Sequence, residues 1–358
     1  MPHHLFVVPH LRYSGTTSQV FTLVDGLSRA GHRVDVVSLQ NTGPRQLDFE
    51  RAGATVHLVG VSGRWEFSGV FSLRTLIKSL DPDLVHLSGL PVVRCYRTVF
   101  PKSRWPFVVS GVAPRTDREP IALVDRWLLH GAARIFVRTP GEKARCVNSG
   151  LPVGQVECVG LAPTPEVWFS PNENDRCEPK AGFSICCIGP ITPEKGFLEA
   201  AWSFDLLGIL HKEVHLEFVG SGSFTSRLSE FRSCVLKPDR ISITGNVPNI
   251  RESLRCAGVV WVPSLQECGL QVMVEAMALG RPVVVSDRLG GSGLIQDGRT
   301  GYVVPAGDKV KLARATKRLI DDPELREAMG DAAKISARQN ASPDSLVARY
   351  ADLTEKAA

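Results

Sequence analysis

The sequence predicts an α/β protein with two Rossmann-like domains, whose parallel sheets face each other across a cleft. The chain has 358 residues, about twice the common domain length. Short β-branched runs alternate with helical patterns in both halves, as in βαβ units. A stretch rich in Pro, Asn and Glu separates the halves. The composition, 43% hydrophobic and 22% charged, excludes collagen, coiled coils and wholesale disorder.

The first domain is predicted over residues 1–165. Its six strand patterns are Leu5–Val8, Arg33–Val37, Thr55–Val59, Leu84–Leu87, Phe107–Val109 and Arg134–Val137. Between the first two strands, residues 16–30 carry apolar side chains at helical spacing, and Gly31 ends this helix.

Residues 166–182 are predicted to be a linker, residues 183–341 the second domain, and residues 342–358 a C-terminal helix. The strand patterns of the second domain are Phe183–Ile188, His215–Val219, Ile241–Thr244, Val259–Val262, Pro282–Val285 and Tyr302–Val304. Ligands of such sheets bind at the carboxyl ends of the strands, and glycines are dense there in both halves. We therefore expect binding residues in the loops that follow these strands.

The charge of the chain is uneven. Residues 1–170 contain 19 Lys and Arg against 13 Asp and Glu, so this half favours an anionic partner. Basic and aromatic side chains alternate there, at Arg94, Tyr96, Arg97, Phe100, Lys102, Arg104, Trp105, Arg115, Arg118, Arg126 and Trp127. Two interpretations stay open: a solvated basic face with rings turned to the core, or peripheral contact with an anionic membrane. No nucleic-acid partner is expected.

Several common classes find no support. The apolar run Leu5–Val8 is too short for a signal-peptide core, and no stretch of about 18 apolar residues occurs. The nine cysteines form no C-x-x-C pair, which favours free thiols in a reducing cytoplasm over a disulfide framework or a zinc site. No G-x-S-x-G, H-E-x-x-H or Walker A string is present.

Two short motifs carry little weight. Gly220-Ser-Gly222 begins a dinucleotide fingerprint, but Thr225 stands at its third glycine position, so an NAD-linked enzyme is disfavoured. Asp81-Pro82-Asp83 resembles the D-x-D string of metal-dependent sugar transferases. It precedes its strand and therefore lies at the end opposite the ligand edge, where a helix-to-strand turn is expected.

The strongest local signal lies between residues 263 and 308. Glu267 follows a buried strand, and Glu275 stands a short way into the next helix. The helix N-terminus between them can hold a phosphate, and a carboxylate can accept hydrogen bonds from sugar hydroxyls. Spacing alone leaves a second interpretation equally open, in which both carboxylates only complement the helix dipole.

These residues resemble the retaining GT-B glycosyltransferases of family 4, the glycosyl transferases group 1. The motifs that carry the resemblance in the second half are Glu267-x7-Glu275-Ala-Met-Ala, Pro282–Asp287, Asp297–Pro305, Gly189–Gly196, Phe218–Gly222 and Gly245–Val247. Fainter matches in the first half are Ser14–Thr17, Ala30–Val34 and Pro82–His86. The resemblance covers nearly the whole chain.

The resemblance implies a nucleoside-diphosphate-sugar donor held mainly by the second domain and no metal or other cofactor. Glu275 would bond the donor ribose, and Glu267 would bond hydroxyls of the transferred sugar as a catalytic residue. Lys195 would neutralise the leaving diphosphate. The other implied donor-binding residues are Gly15, Asn246, Val247, Gly269 and Leu270.

A glycan or lipid-linked acceptor would bind the basic first domain, to which the C-terminal helix would return. The new glycosidic bond would keep the anomeric configuration that the sugar has in the donor, through front-face attack by the acceptor. The implied role is polysaccharide or glycoconjugate synthesis in the cytoplasm. Peripheral association with the inner face of the membrane is the alternative location.

The sequence departs from the family pattern at three positions. Pro190 stands where the family usually has an Arg that shares the diphosphate with Lys195. Val112 stands at or near the position of a His close to the reacting centre, and His86 is the nearest replacement on the acceptor side. A structural histidine is the other interpretation of His86, and the commoner case. Gly269 follows Glu267 by two residues instead of three, so Gln266 is an alternative for the first carboxylate position.

Three functions follow from these observations. The leading hypothesis is an active retaining glycosyltransferase. The alternative, favoured by Pro190 and Val112, is a catalytically weak GT-B protein that binds nucleotide or glycan as a partner subunit. A nucleotide-sugar isomerase on the same plan is the third, and no set of residues recommends it.

Overall fold

The computed structural model describes residues 2–60, 67–114, 116, 120–169, 182–247 and 249–355. The chain divides into two compact units. One runs to Leu161 and takes in the segment from Pro343 onward, and the other runs from Ala162 to Ser342. Of the residues singled out above, Arg115, Arg118, Cys177 and most of the expected linker lie outside the described residues.

The first unit is built on one parallel sheet, which has seven strands within the described residues. These are β1 (His3–Val8), β2 (Arg33–Ser38), β3 (Thr55–Leu58), β4 (Leu84–Ser88), β5 (Phe107–Ser110), β6 (Arg134–Val137) and β7 (Val156–Cys158). Their order is β3-β2-β1-β4-β5-β6-β7, so the winding reverses between β1 and β4. Strand β7 was not predicted, because three residues are too few to show a pattern.

Helices cover the sheet of the first unit. They are α1 (Gly15–Arg29), α2 (Gln46–Arg51), α3 (Phe67–Leu80), α4 (Leu90–Val99), α5 (Leu123–Leu129) and α6 (Pro140–Asn148). One face of the sheet shares a core with α3, α4, α5 and α6, in which Leu5, Val7, Ile77 and Tyr96 are fully buried.

The second unit repeats the plan with a parallel sheet of six strands in the described part of the chain. Its elements are α7 (Pro165–Trp168), β8 (Phe183–Ile188), α8 (Phe197–Leu210), β9 (Val214–Val219), α9 (Thr225–Cys234), β10 (Ile241–Gly245), α10 (Arg251–Cys256), β11 (Val259–Val262), α11 (Leu270–Ala278), β12 (Val283–Ser286), β13 (Tyr302–Val304), α12 (Lys309–Asp321) and α13 (Pro323–Asn340). The strand order is β10-β9-β8-β11-β12-β13. The prediction of two Rossmann-like domains with parallel sheets is confirmed, and α7 occupies the start of the expected linker.

The last helix, α14 (Pro343–Glu355), packs against the first unit. It lies so close to α1 that a Cβ at Gly26 would stand 2.3 Å from Val347 Cγ2. Tyr350 of α14 is fully buried, and its ring centroid lies 6.1 Å from that of Phe6 on β1. This helix therefore completes the core on the sheet face opposite α3 and α4.

The cysteines are only partly as expected. Cys146, Cys186 and Cys187 are buried free thiols, and burial raises the pKa of Cys146 to about 12. The prediction of buried free thiols is wrong for two cysteines. Cys234 is exposed, and Cys256 is disulfide-bonded. Within the described residues, none of the helices has the length and apolar character needed to cross a membrane.

Candidate active site

Three strand ends of the second sheet meet backbone to backbone. Gly189 follows β8, and its carbonyl oxygen lies 2.0 Å from the place that a Cβ at Gly220 would take. The amide of Gly220 in turn donates to the carbonyl of Gly245 at 2.7 Å. Gly189 and Gly220 have φ values of 142° and 143°, which only glycine adopts easily. The packing brings the loops after β8, β9 and β10 to one edge, as the glycine pattern predicted.

Lys195 stands at this edge between two of the glycines. Its Nζ lies 3.7 Å from the position of a Cβ at Gly189 and 3.8 Å from that of a Cβ at Gly269. The short 3-10 turn Pro193–Lys195 carries it and ends at Gly196, where a Cβ would lie 2.1 Å from the carbonyl oxygen of Pro263. The ammonium group is therefore held beside the end of β8 and the start of α11.

Helix α11 begins without a side-chain cap. Its N-cap is Gly269, with φ of 111°, and a Cβ there would lie 2.6 Å from Val262 Cγ1. Leu270, the first helical residue, is fully buried. The first turn of a helix has backbone N–H groups without intrahelical acceptors, and its dipole is positive. Together with the half-buried Lys195, it forms a surface suited to a phosphate.

The loop between β11 and α11 is pinned at both ends. Ser264 Oγ donates to the carbonyl of Cys268 at 2.5 Å, and Ser286 Oγ donates to the carbonyl of Ser264 at 2.6 Å. The amide of Leu265 donates to the carbonyl of Glu194 at 2.8 Å, which ties the loop to the turn that carries Lys195. Gln266 and Glu267 lie on this loop, both half-buried.

Glu275 lies inside α11 with only 1% of its surface exposed. Gln271, one turn earlier, donates through Nε2 to Glu275 Oε1 at 2.9 Å and to the carbonyl of Ala162 at 3.0 Å. The hydrogen bond from Gln271 therefore fixes the orientation of the buried Glu275 carboxyl group. Gln271 was missed in the sequence, although its spacing of four residues from Glu275 is the signal for such a pair.

The remaining predicted donor residues lie at the same sheet edge. Asn246 is exposed and Val247 half-buried, directly after Gly245 at the end of β10. Pro190 is exposed after Gly189 and contributes no charge. Lys195 is thus the basic side chain that this β8 loop offers to an anion.

The corresponding edge of the first sheet is organised around α1. Ser14 Oγ caps this helix by accepting from the amide of Thr17 at 3.2 Å, and Gly15 is the first helical residue. Thr16 Cγ2 lies 3.5 Å from the position of a Cβ at Gly111, which follows β5. The amide of Gly89, after β4, donates to the carbonyl of Ser110 at 2.8 Å. Gly15 is thus placed among the loops after β4 and β5.

His86 does not lie at the ligand edge, because β4 continues two residues beyond it to Ser88. Its side chain is 2% exposed, stacks on Tyr350 at 5.6 Å between ring centroids, and shares a 2.8 Å hydrogen bond between Nε2 and Ser110 Oγ. Burial lowers the pKa of His86 to about 3, so the ring is neutral. His86 thus packs in the core of the first unit as a structural histidine would, and an acceptor-side role for it stays a prediction.

Two further sequence expectations concern the first unit. Val112, at the position of the missing family His, is 3% exposed and packs in the core. Asp81 lies in the turn between α3 and β4, with φ of 45°, and accepts from Trp105 Nε1 at 2.9 Å. The interpretation of the D-x-D string as a turn is confirmed. In the part of the chain that the structure describes, no three His, Cys, Asp or Glu side chains group closely enough to hold a metal ion.

Family comparison agrees with this geometry. A family model described as glycosyl transferases group 1 matches residues 172–336, and one described as glycosyl transferase 4-like domain matches residues 14–162. The two matches cover the whole second sheet and strands β2 to β7 of the first sheet, with the start of α1.

Individual proteins give the same result. The phosphatidyl-myo-inositol mannosyltransferase of Mycobacterium leprae is 35% identical over 74% of this chain and 68% of its own length. The alpha-D-kanosaminyltransferase of Streptomyces kanamyceticus is 34% identical over 47% of this chain, a match that spans 45% of that protein. A crystal structure of Anabaena HepE with UDP and glucose superposes with a TM-score of 0.81 at 15% identity, over 99% of this chain and 100% of that one.

Proposed function

The chain belongs to the family of glycosyl transferases group 1, and from that premise we propose that it is a retaining glycosyltransferase. It moves a sugar from a nucleoside-diphosphate-sugar to a hydroxyl group of a glycan or lipid-linked acceptor. It acts in the cytoplasm, in the synthesis of a polysaccharide or glycoconjugate, without a metal.

One observation carries this proposal. Lys195 Nζ stands beside Gly189 and Gly269, at the uncapped start of α11. In glycosyl transfer from a sugar nucleotide, negative charge grows on the departing diphosphate. A fixed ammonium group and the amides at Gly269 and Leu270 stabilise that charge more in the transition state than in the bound donor, which is the condition for catalysis.

The neighbouring residues supply the rest of the donor site. Glu275, oriented by Gln271, accepts hydrogen bonds from the donor ribose. Asn246 and Val247, on the loop after β10, border the base. Glu267, on the pinned loop after β11, accepts from hydroxyls of the transferred sugar. The donor-binding role expected for Gly15, at the start of α1 in the first unit, stays a prediction.

The names of similar proteins suggest which substrates to test first. The HepE structure contains UDP and glucose, so uridine nucleotides are the first donors to test. The mycobacterial relative is named for a phosphatidyl lipid acceptor, which supports testing lipid-linked acceptors beside glycans. The anomeric configuration of the product, read by NMR, distinguishes retention from inversion.

A thermal-shift screen tests the donor site. Free UDP, GDP and ADP, and their sugars, are added to the purified chain, and a nucleotide that binds the folded state raises the melting temperature. One base should stabilise the wild type at micromolar concentration and lose this effect in Glu275→Ala. The exposed Glu230 of α9 provides a matched control, since Glu230→Ala should keep the full shift. An equal shift in Glu275→Ala would contradict the ribose assignment.

A second function is favoured by the departures at Pro190 and Val112. The diphosphate loop lacks the second cation, and the position of the expected His is occupied by a core valine. In this alternative the protein binds a sugar nucleotide or glycan as a partner subunit and turns over little. A sugar nucleotide that binds but releases no nucleoside diphosphate in the presence of glycan and lipid acceptors would favour the binding subunit over the active glycosyltransferase.

A further inference from the structure

Helix α5 presents three large apolar side chains to solvent. Leu123, Val124 and Trp127 are 74%, 68% and 66% exposed. Positions three and four residues apart lie on the same side of a helix, so the three side chains form one patch. Exposed apolar patches of this kind mark contact sites for a membrane or another macromolecule.

The orientation of α5 is fixed by its other side. Leu129 is fully buried, and Asp125 is 3% exposed. Asp125 accepts two hydrogen bonds of 2.7 Å from Arg94 of α4, one from Nε and one from Nη2. Because this bidentate pair and the buried leucine hold α5 in place, the patch points outward as a consequence of the packing.

A basic groove adjoins this patch. It has a volume of 530 Å³ and runs along the end of α4 and the segment before β5, where Arg97, Lys102, Arg104 and Trp105 are among its lining residues. Arg97 connects groove and patch, because its guanidinium carbon lies 6.0 Å from the centre of the Trp127 ring. Among the described residues that line the groove, none carries a carboxylate.

The charges of this region are only partly neutralised. Arg104 pairs with Asp81 at 2.6 Å, and Arg94 pairs with Asp125. For Arg97 and Lys102, no carboxylate oxygen lies within 4.0 Å among the described residues. Lys102 is exposed and Arg97 half-buried, so both cations can meet an anion at the groove.

We propose that Leu123, Val124, Trp127, Arg97 and Lys102 form a docking face for an anionic lipid bilayer. The apolar side chains enter the region between headgroups and acyl chains, where Trp is especially stable. The groove receives lipid phosphates beside them. Charge selects this occupant over a second copy of the chain, because two such faces brought together would repel.

The sequence left two interpretations of the basic aromatic stretch, a solvated face or a membrane contact. The proposed docking face favours membrane contact. Tyr96, Phe100 and Trp105 are turned to the core, as the solvated-face interpretation required, but Trp127 is not. The proposal does not depend on sugar transfer, and its test contains no sugar nucleotide. Its failure is therefore separate from a failure of the proposed function.

Vesicle sedimentation tests the docking face with the full chain. Extruded vesicles of phosphatidylcholine alone are compared with vesicles containing about one third phosphatidylglycerol, the anionic component. We expect binding to the anionic vesicles only, and loss of most binding when salt shortens the Debye length to about 3 Å.

Two variants locate the contact. Lys102→Glu should weaken vesicle binding by about fivefold or more, and Trp127→Ser by about tenfold or more. Lys212→Glu and Trp202→Ser are matched controls on the second unit, where Lys212 is exposed and Trp202 is 49% exposed, and they should bind as the wild type does. Unchanged melting temperatures show that the variants fold.

Three results would overturn the proposal: no binding to anionic vesicles at low salt, equal binding to neutral vesicles, or equal losses in the test and control variants. Concentration-dependent dimers that Trp127→Ser abolishes, without vesicle binding by the wild type, would assign the face to a second copy instead. If millimolar inorganic phosphate binds but vesicles do not, the groove is a site for free phosphate and the bilayer proposal fails.

Discussion

Helices α1 and α11 both begin at the carboxyl edge of a parallel sheet, but their first turns differ. In α1 the side chain of Ser14 accepts from the amide of Thr17, so the helix satisfies one of its own donors. In α11 the N-cap is Gly269, which has no side chain, and Lys195 stands nearby. A helix start that is internally capped is stable without a ligand. A helix start that has no side-chain cap and lies beside a cation keeps its first amides available to bind an anion.

The same contrast appears in the buried ionisable groups of the two units. His86 stacks on Tyr350 and is neutral, because burial lowers its pKa to about 3. Glu275 is as deeply buried, but Gln271 directs an amide donor at it. His86 also has a polar partner, Ser110 Oγ, so neither burial nor a hydrogen-bond partner alone assigns a binding role to either side chain.

The largest effect is expected from removing the cation beside α11. Lys195→Ala should lower turnover about a hundredfold or more, because the developing diphosphate charge loses its counterion. The measurement is kcat with the donor that the thermal-shift screen identifies. Lys212→Ala, at an exposed lysine of the same unit, should keep the wild-type kcat. Unchanged turnover in Lys195→Ala would show that Lys195 does not stabilise the diphosphate, and the functional difference between the starts of α1 and α11 would then have no support.

A smaller effect is expected at the buried carboxylate. Glu275→Ala should raise the nucleotide Kd about thirtyfold, since a hydrogen bond to a charged group contributes about 2 kcal/mol. Gln271→Ala should raise it less, because the carboxylate remains but loses its orientation. Calorimetric titration measures both. If Gln271→Ala has the larger effect, Gln271 contacts the nucleotide directly and the positioning role is wrong.

The pH dependence of stability tests the structural role of His86. Its folded pKa, about 3, lies below the unfolded value of about 6.5, so the unfolded chain takes up the proton first. The stability that neutral His86 contributes is complete above about pH 6.5 and falls as pH drops from there toward 3, by about 1.4 kcal/mol per pH unit. Nearby His4, with a pKa lowered by burial to about 4, adds a second loss of the same sign.

Urea unfolding at neutral pH and about one unit below pH 6.5 measures this loss. In His86→Phe the difference in unfolding free energy between the two pH values should shrink by about 1.4 kcal/mol. His130→Phe, at an exposed histidine of the same unit, should leave it unchanged. A His86→Phe protein with the wild-type pH dependence would show that His86 is protonated in the folded state.

The smallest effect is expected at the capped helix. Ser14→Ala should lower the free energy of unfolding by about 1 kcal/mol, the usual contribution of a helix N-cap. Nucleotide binding should not change, because Ser14 serves α1 and not the donor. A thermal melt with and without nucleotide measures both quantities. Loss of the nucleotide-induced shift in Ser14→Ala would show that the donor contact predicted at Gly15 depends on the Ser14 cap.

The sequence by itself determined the two parallel sheets and the edge at which binding residues collect. This is possible because β-branched runs and helix periods are local signals, and because Gly189, Gly220 and Gly269 have positive φ values that favour glycine. Glu275 and Lys195 were predicted as site residues because they belong to motifs attached to these turns, and their roles stay predictions.

Only the tertiary structure decided which side chains face which surroundings. His86 and Trp127 show this in opposite directions: the histidine expected at the ligand edge lies under Tyr350, while one tryptophan of the basic stretch stands in solvent. The local sequence pattern predicts neither the burial of His86 nor the exposure of Trp127. It depends on α14, which is distant in sequence and covers His86, and on the pairing of Arg94 with Asp125, which turns α5 outward. Contacts between residues far apart in the chain set burial, and burial sets both pKa and accessibility.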